Sequence, residues 1–108
     1  MRQIRYRALI TLDTAPQDAK PYRNLTHALM VRARCLQRPA YSKYFPSEIS
    51  WDDERPLRAG DHAVVTITMI DDEASQFFAP GQHFTIWNGS DVGHGVISRR
   101  VFTAHGPC

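Results

Sequence analysis

The sequence contains few cysteines, no long apolar run and no strong excess of either charge. Cys35 and Cys108 are the two cysteines, and their spacing fits neither a Cys-x-x-Cys motif nor a zinc site, so a disulfide framework is excluded and reduced thiols are expected. No apolar stretch approaches the ~20 residues that a membrane helix needs. The net charge of +2, from 13 basic and 11 acidic residues, excludes a protein held to nucleic acid by bulk charge alone.

Motifs for catalysis are also missing. The chain has no Gly-x-x-x-x-Gly-Lys-[Ser/Thr] phosphate loop, which excludes GTP hydrolysis, and no Gly-x-Ser-x-Gly elbow for a nucleophilic serine. The acidic runs at 52–54 and 71–73 lack the alternating oxygen ligands of a calcium loop and are expected to be solvated turns. We therefore expect a non-enzymatic protein that binds no nucleotide and no cofactor.

The length of 108 residues is close to the commonest size of a single domain. We expect residues 1–104 to form one domain and residues 105–108 to form a tail. The N-terminal segment interrupts its apolar residues with arginines and has no small-residue cleavage site. A secretion signal is not predicted, and a cytoplasmic location without membrane contact is expected.

Alternation of apolar and polar residues in the first third of the chain predicts strands. Residues 5–12 alternate well, as a half-buried strand does. Residues 25–37 fit either a helix through their leucines or a strand, and the alternation of Val31, Ala33 and Cys35 with arginines favours the strand.

The pattern in the rest of the chain also predicts strands and turns. Residues 38–56 contain prolines, aromatics and acids with little periodicity, which predicts a long surface loop with a short strand at 49–51. The β-branched run at 62–70 predicts a strand, and residues 83–102 predict a hairpin with Asn88-Gly89-Ser90 at its tip. Five or six strands with almost no helix indicate an all-β antiparallel barrel or sandwich.

A series of motifs runs through the second half of the chain. In order they are Ala59-Gly60-Asp61, the strand at 64–70, Gly81-Gln82-His83-Phe84-Thr85-Ile86, Asn88-Gly89-Ser90, and Asp91-Val92-Gly93-His94-Gly95-Val96-Ile97. This order resembles the C-terminal (third) β-barrel domain of elongation factor Tu and related translational GTPases. That domain ends with a Pro-Gly-Asp turn, a β-branched strand, Gly-x-Arg-Phe-x-Ile, a Glu-Gly-Gly tip and Thr-Val-Gly-x-Gly-Val-Val. The resemblance implies a single antiparallel Greek-key β-barrel of about six strands, here without its GTPase domain.

The resemblance also implies a link to translation. In that family the third domain grips the backbone of the tRNA T-stem, partly through the hairpin tip, and contacts the nucleotide exchange factor. In this sequence Asn88 replaces the acid of the tip, Gly89 is retained, and His83 replaces an arginine. The family's Gly-Gly-Arg-His-Thr-Pro loop has no counterpart around residues 18–24. The resemblance leaves Asn88 and Gly89 as candidate partner contacts.

Aromatic residues of the predicted 38–56 loop are candidates for an interface with a protein partner or with a second copy of the chain. A few large exposed aromatic side chains supply most of the binding energy of a typical interface. The candidates are Tyr41, Tyr44, Phe45 and Trp51. A non-catalytic protein-interaction module is therefore the leading hypothesis for the function.

Arginines provide an alternative hypothesis, an RNA-binding or tRNA-binding module. Arg32 and Arg34 are expected on one face of a strand, and Arg99 and Arg100 at the end of another. Arginines beside exposed aromatics hold RNA on β-surfaces through phosphate contacts and base stacking. Arginines also coat the solvent face of many proteins, so the sequence leaves both interpretations open.

Histidines provide a third and less favoured hypothesis, a metal-binding or enzymatic site. His83 and His94 lie on strands expected to pair through the hairpin tip, and His62 is a third candidate. Zinc needs three or four converging ligands, and no cysteine or carboxylate stands at a suitable spacing. No bound metal is therefore expected.

Overall fold

A computed structural model describes residues 3–13, 26–52 and 55–101, apart from the side chains of residues 26–28 and 72. Within these ranges the strands are β1 (Ile4–Leu12), β2 (Thr26–Arg34), β3 (Ser42–Ser50), β4 (His62–Met69), β5 (His83–Trp87) and β6 (Asp91–Val101). A short 3-10 helix, Asp72–Gln76, lies between β4 and β5. The predicted tail at 105–108 and Cys108 lie outside the described residues.

The strands form one closed antiparallel barrel in the order β1-β4-β3-β2-β5-β6, and β6 pairs back onto β1. Strands β2, β3 and β4 are neighbours in sequence and in space, and β1 lies beside β4 after a long connection. This arrangement is a Greek key. The prediction of an all-β, six-stranded antiparallel barrel is confirmed.

The barrel core is built from the inward face of each strand, because successive side chains of a strand point to opposite sides. On β1 the buried residues are Ile4, Tyr6, Ala8, Ile10 and Leu12, as the alternation predicts. On β2 the buried Val31 and Ala33, with Cys35 just beyond the strand, confirm the strand interpretation over the helix.

The prediction of a surface loop at 38–56 was wrong for residues 42–48, because residues 42–50 form β3. The short strand predicted at 49–51 coincides with the end of β3. Phe45, Ser47 and Ile49 point into the barrel and alternate with outward residues. Pro46 concealed this period, since proline disrupts most strands. It is tolerated here because the β3–β4 pairing begins only after it, at Ser47, within the described residues.

The segment after β4 contributes to the core instead of forming a simple solvated turn. Asp71 caps the 3-10 helix by accepting a 2.9 Å hydrogen bond from the backbone N–H of Glu73. The helix leads to the buried Phe77 and Phe78, whose ring centroids lie 5.0 and 5.3 Å from that of Phe45. No helix in the described ranges has the length and apolar character to cross a membrane.

Two glycines show why the closing hairpin is glycine-rich. A Cβ on Gly95 would lie 2.5 Å from Cζ of Phe84 and 2.7 Å from the carbonyl oxygen of Leu9. Gly89 has a φ of 81°, in the left-handed region that favours glycine. Gly95 therefore allows close packing of the strands, and Gly89 forms the predicted turn at the hairpin tip.

Candidate functional site

A groove of about 670 Å³ opens on the barrel surface where β2 and β5 separate. Within the described residues, β2 pairs with β5 along Met30–Arg32 and no further. Beyond that point the two strands diverge, and the space between them is the groove. Its basic lining residues are Arg32, Arg34, His83 and His94, and its polar ones are Ser42, Gln82 and Thr85. We call this site the β2–β5 groove.

The strand period places these basic side chains outside the barrel. Val31 and Ala33 are buried, so Arg32 and Arg34, which alternate with them, point outward. In the same way His83 precedes the buried Phe84, and its side chain is exposed. The local sequence thus determines the direction of each side chain.

The register brings together side chains that lie far apart in sequence. Arg32 is paired with Thr85 on one side and with Tyr44 on the other, and Thr85 is in turn paired with His94. Directly opposite residues have Cβ atoms about 4.5–5.5 Å apart. Arg32 and Arg34 of the RNA hypothesis therefore share one surface with two histidines of the metal hypothesis, His83 and His94.

Two carboxylates lie at the rim of the groove. Nη2 of Arg32 lies 3.5 Å from Oδ2 of Asp91, and Nδ1 of His94 lies 3.3 Å from Oδ1 of Asp13. These pairs are exposed to solvent, and such pairs add little stability. No carboxylate of the described residues lies within ion-pair distance of Arg34. The positive charge of Arg34 is therefore available to an anionic ligand.

Aromatic residues flank Arg32 on the outer surface. The Tyr44 side chain is 40% exposed, and its ring centroid lies 5.7 Å from that of Trp87. The Arg32 guanidinium carbon lies 5.8 Å from the Tyr44 centroid. Trp87 was not among the residues predicted from sequence, although its outward position after the buried Ile86 could have indicated it.

Of the four aromatic residues predicted to contact a partner, two are buried and two are exposed. Phe45 is completely buried, and Trp51 is 6% exposed, with Nε1 donating a 2.9 Å hydrogen bond to the carbonyl of Arg55. Both therefore belong to the core, and their prediction as surface contacts was wrong. Tyr41 and Tyr44 remain exposed.

The arginines of β6 are not brought into the groove. Arg99 pairs with Arg7 on β1 and lies five residues beyond His94, which is about 16 Å along an extended strand. Arg100 is paired with Tyr6 and is partly buried. Burial raises the pKa of the Tyr6 phenol, and the charge of Arg100 opposes this rise.

The hairpin tip lies directly after Trp87. Asn88 and Gly89 are exposed, and the backbone N–H of Asn88 donates a 2.9 Å hydrogen bond to the carbonyl of Ser90. Since Asp91 and Trp87 are paired across the tip, Asn88 and Gly89 border the aromatic side of the groove.

The histidines do not converge as metal ligands would. His83 pairs with Val96 while His94 pairs with Thr85, so the two side chains are offset along the strands. His62 is separated from His94 by β1, where Thr11 Oγ1 lies 2.9 Å from Nδ1 of His62. Among the described residues no group of three His, Cys, Asp or Glu side chains could hold a metal ion.

An exposed apolar row crosses strands β4, β1 and β6. Leu9 is 45% exposed and is paired with Val64, which is 52% exposed. On its other side Leu9 is paired with the partly buried Val96. We call these three residues the apolar row.

Comparison with protein-family models gives no match, and comparison with curated proteins gives no significant match. The resemblance to the third domain of elongation factor Tu therefore stays a prediction. The function has to be argued from the geometry of the surface.

Proposed function

We propose that this protein is a non-catalytic RNA-binding module that holds the phosphate backbone in the β2–β5 groove. The observation that carries the proposal is the convergence of Arg32, Arg34, His83 and His94 on one concave surface of about 670 Å³. A guanidinium presents a planar set of donors that matches phosphate oxygens. Concave surfaces lined by one sign of charge also concentrate ligands of the opposite sign.

The chemistry of the groove supports binding without a reaction step. Its arginines donate hydrogen bonds and positive charge, and Ser42, Gln82 and Thr85 add neutral hydrogen-bonding groups. RNA is recognised on β-surfaces by this combination together with aromatic stacking. The resemblance to a translational domain that contacts tRNA agrees with this proposal.

Replacing Arg32 and Arg34 together with alanine tests the function. Affinity for a fluorescently labelled RNA should fall, and the slope of log affinity against log salt should become shallower by about 0.7–0.9 for each phosphate that the variant no longer neutralises. Fluorescence anisotropy at several salt concentrations measures both quantities. Replacing Arg5 and Arg99 together with alanine is the matched control, because it removes the same charge and both residues are exposed but lie away from the groove. Equal losses in both variants, or binding that salt does not change, would contradict the proposal.

A second candidate, a protein-interaction module, is favoured by the apolar row. Leu9 and Val64 place two large aliphatic side chains side by side in solvent on paired strands. Contiguous exposed apolar surface is typical of contact sites, for a partner protein or a second copy. For this candidate, Leu9→Thr should abolish association measured by light scattering, and a strictly monomeric wild type that captures no partner would count against it.

A further inference from the structure

Tyr44 and Trp87 lie on the outer surface beside the β2–β5 groove, one on each side of β2. Tyr44 is paired with Arg32 across β2 and β3, and Trp87 is paired with Met30 across β2 and β5. Their centroids are 5.7 Å apart and their ring planes are inclined by 68°. The exposed Tyr44 and the partly exposed Trp87 and Arg32 thus form one continuous surface.

We propose that Tyr44, Trp87 and Arg32 form a platform on which unpaired bases stack, so that the ligand of the groove is a single strand. This inference rests on the proposed RNA-binding function and specifies the form of the RNA. Aromatic faces and arginine planes bind bases of any sequence, because every base has a π-face. The bases of a duplex are already stacked on one another and cannot reach such a surface.

The geometry limits how bases can lie on this platform. Because the rings are inclined by 68°, one flat base cannot lie parallel to both, so each ring serves its own base. Nη1 of Arg32 donates a 3.4 Å hydrogen bond to the Tyr44 hydroxyl, which orients the guanidinium beside that ring. The platform is therefore built before any ligand is bound.

The phosphate site and the platform lie along the same strand. Arg34 is two residues further along β2 than Arg32, about 7 Å away, and points to the same outer side. A single strand whose bases rest on Tyr44 and Trp87 would pass its backbone into the groove at Arg34. This path connects the aromatic surface with Arg34, which lines the groove and has no carboxylate partner among the described residues.

Tryptophan fluorescence of the whole chain provides the direct test, with three unlabelled probes of equal length. These are single-stranded RNA, blunt duplex RNA and a ribose-phosphate strand that lacks bases. The sequence has two tryptophans, and Trp51 is only 6% exposed, so quenching by a stacked base should come from Trp87. We expect the single strand to quench the emission and bind at least about tenfold more tightly than the baseless strand.

Three substitutions separate stacking from a structural role. Trp87→Phe should abolish the quenching, and Tyr44→Ala should weaken single-strand binding by about fivefold or more without changing the salt slope. Tyr44→Phe keeps the stacking ring and loses only the hydroxyl contact with Arg32, so it should lose much less affinity than Tyr44→Ala. Thermal unfolding of each variant verifies that it is folded.

The outcomes distinguish this inference from the proposed function. If single strand, duplex and baseless strand bind equally well, but still depend on Arg32, Arg34 and salt, the platform is refuted and the phosphate site stands. If no probe binds in a way that depends on these arginines, both are refuted.

Discussion

The two sides of the barrel are closed to different extents. Strand β1 is paired with β4 along Ile4–Thr11 and with β6 along Arg5–Leu12. Nearly its whole length is therefore paired with a neighbouring strand on both sides. Strand β2 is paired with β5 along only Met30–Arg32 within the described residues. We refer to these as the β1 side and the β2 side.

The difference shows where a small barrel can place a binding site. On the β1 side the long ladders leave no gap between β1 and its two neighbours, and the apolar row lies there. On the β2 side the strands diverge, and the outward side chains of Arg34 and His83 line a concavity. The groove therefore forms because β2 and β5 are paired over only a short length, and the types of residue at this position matter less.

Of the substitutions considered, Gly95→Ala should have the largest effect, because it disrupts the strand packing on the β1 side and so lowers the free energy of unfolding. The new Cβ would meet the ring of Phe84 at 2.5 Å and the carbonyl oxygen of Leu9 at 2.7 Å. The backbone atom cannot move without disturbing the β1–β6 ladder, so we expect the free energy of unfolding to fall by about 1–3 kcal/mol.

Chemical denaturation measures this change, with Gly89→Ala as the comparison. A Cβ on Gly89 meets nothing within 4 Å, and its cost comes from the positive φ alone. A smaller decrease, of about 1 kcal/mol, is expected there. Equal stabilities of Gly95→Ala and wild type would show that the β1 side is packed more loosely than these distances indicate.

Asp91→Asn should have an intermediate effect, which is on RNA affinity. It tests whether Arg32 on the β2 side binds phosphate. The change removes a carboxylate 3.5 Å from Arg32, which competes with phosphate for the guanidinium. Affinity for RNA should rise by up to about fivefold at low salt, and the gain should shrink as salt screens the charge.

Asp52→Asn is the matched control for this gain. It makes the same change in net charge at a carboxylate that is 93% exposed and 3.9 Å from Arg7, away from the groove. A similar increase in both variants would mean that overall charge, and not the groove, determines RNA affinity.

Asp71→Asn should have the smallest effect, which is a change in how the melting temperature depends on pH. The backbone N–H of Glu73, and then Lys43 at 3.0 Å, hold the pKa of Asp71 below its ordinary value. A depressed folded-state pKa stabilises the protein above the unfolded pKa of about 3.9, and this contribution is lost as pH falls through the lower folded-state pKa.

The variant should therefore melt below wild type at pH 7, by less than about 4 °C because the pair is exposed. The two melting temperatures should converge as pH is lowered from about 5 to about 2. Melting curves over this range measure the effect. A gap that stays constant across the range would assign the destabilisation to the changed cap geometry and not to charge.

Much of the barrel could be predicted because its strands alternate clearly. The buried residues of β1, from Tyr6 to Leu12, follow a strict period of two, and the β-branched run of β4 does the same. Strand β3 could not be predicted this way, since Pro46 and clustered aromatics obscured its period. Its inward Phe45 was consequently placed on the surface.

The candidate site could be predicted only in part, for a different physical reason. The outward direction of Arg32 and Arg34 follows from local alternation, and the structure agrees. Their proximity to His83 and His94 depends on which strands pair and where the pairing stops. That register is set by contacts between distant parts of the chain, which a local pattern does not contain.

The separation of β2 and β5 also has a consequence for solubility. The barrel is closed, but β2 and β5 each continue past their three paired residues as a short edge that another chain could join. Charged side chains are one of the ways in which natural sheets discourage such edge-to-edge association. Arg34 and His83 stand at these two edges, so we expect the residues proposed to hold RNA also to discourage edge-to-edge association of the unbound protein.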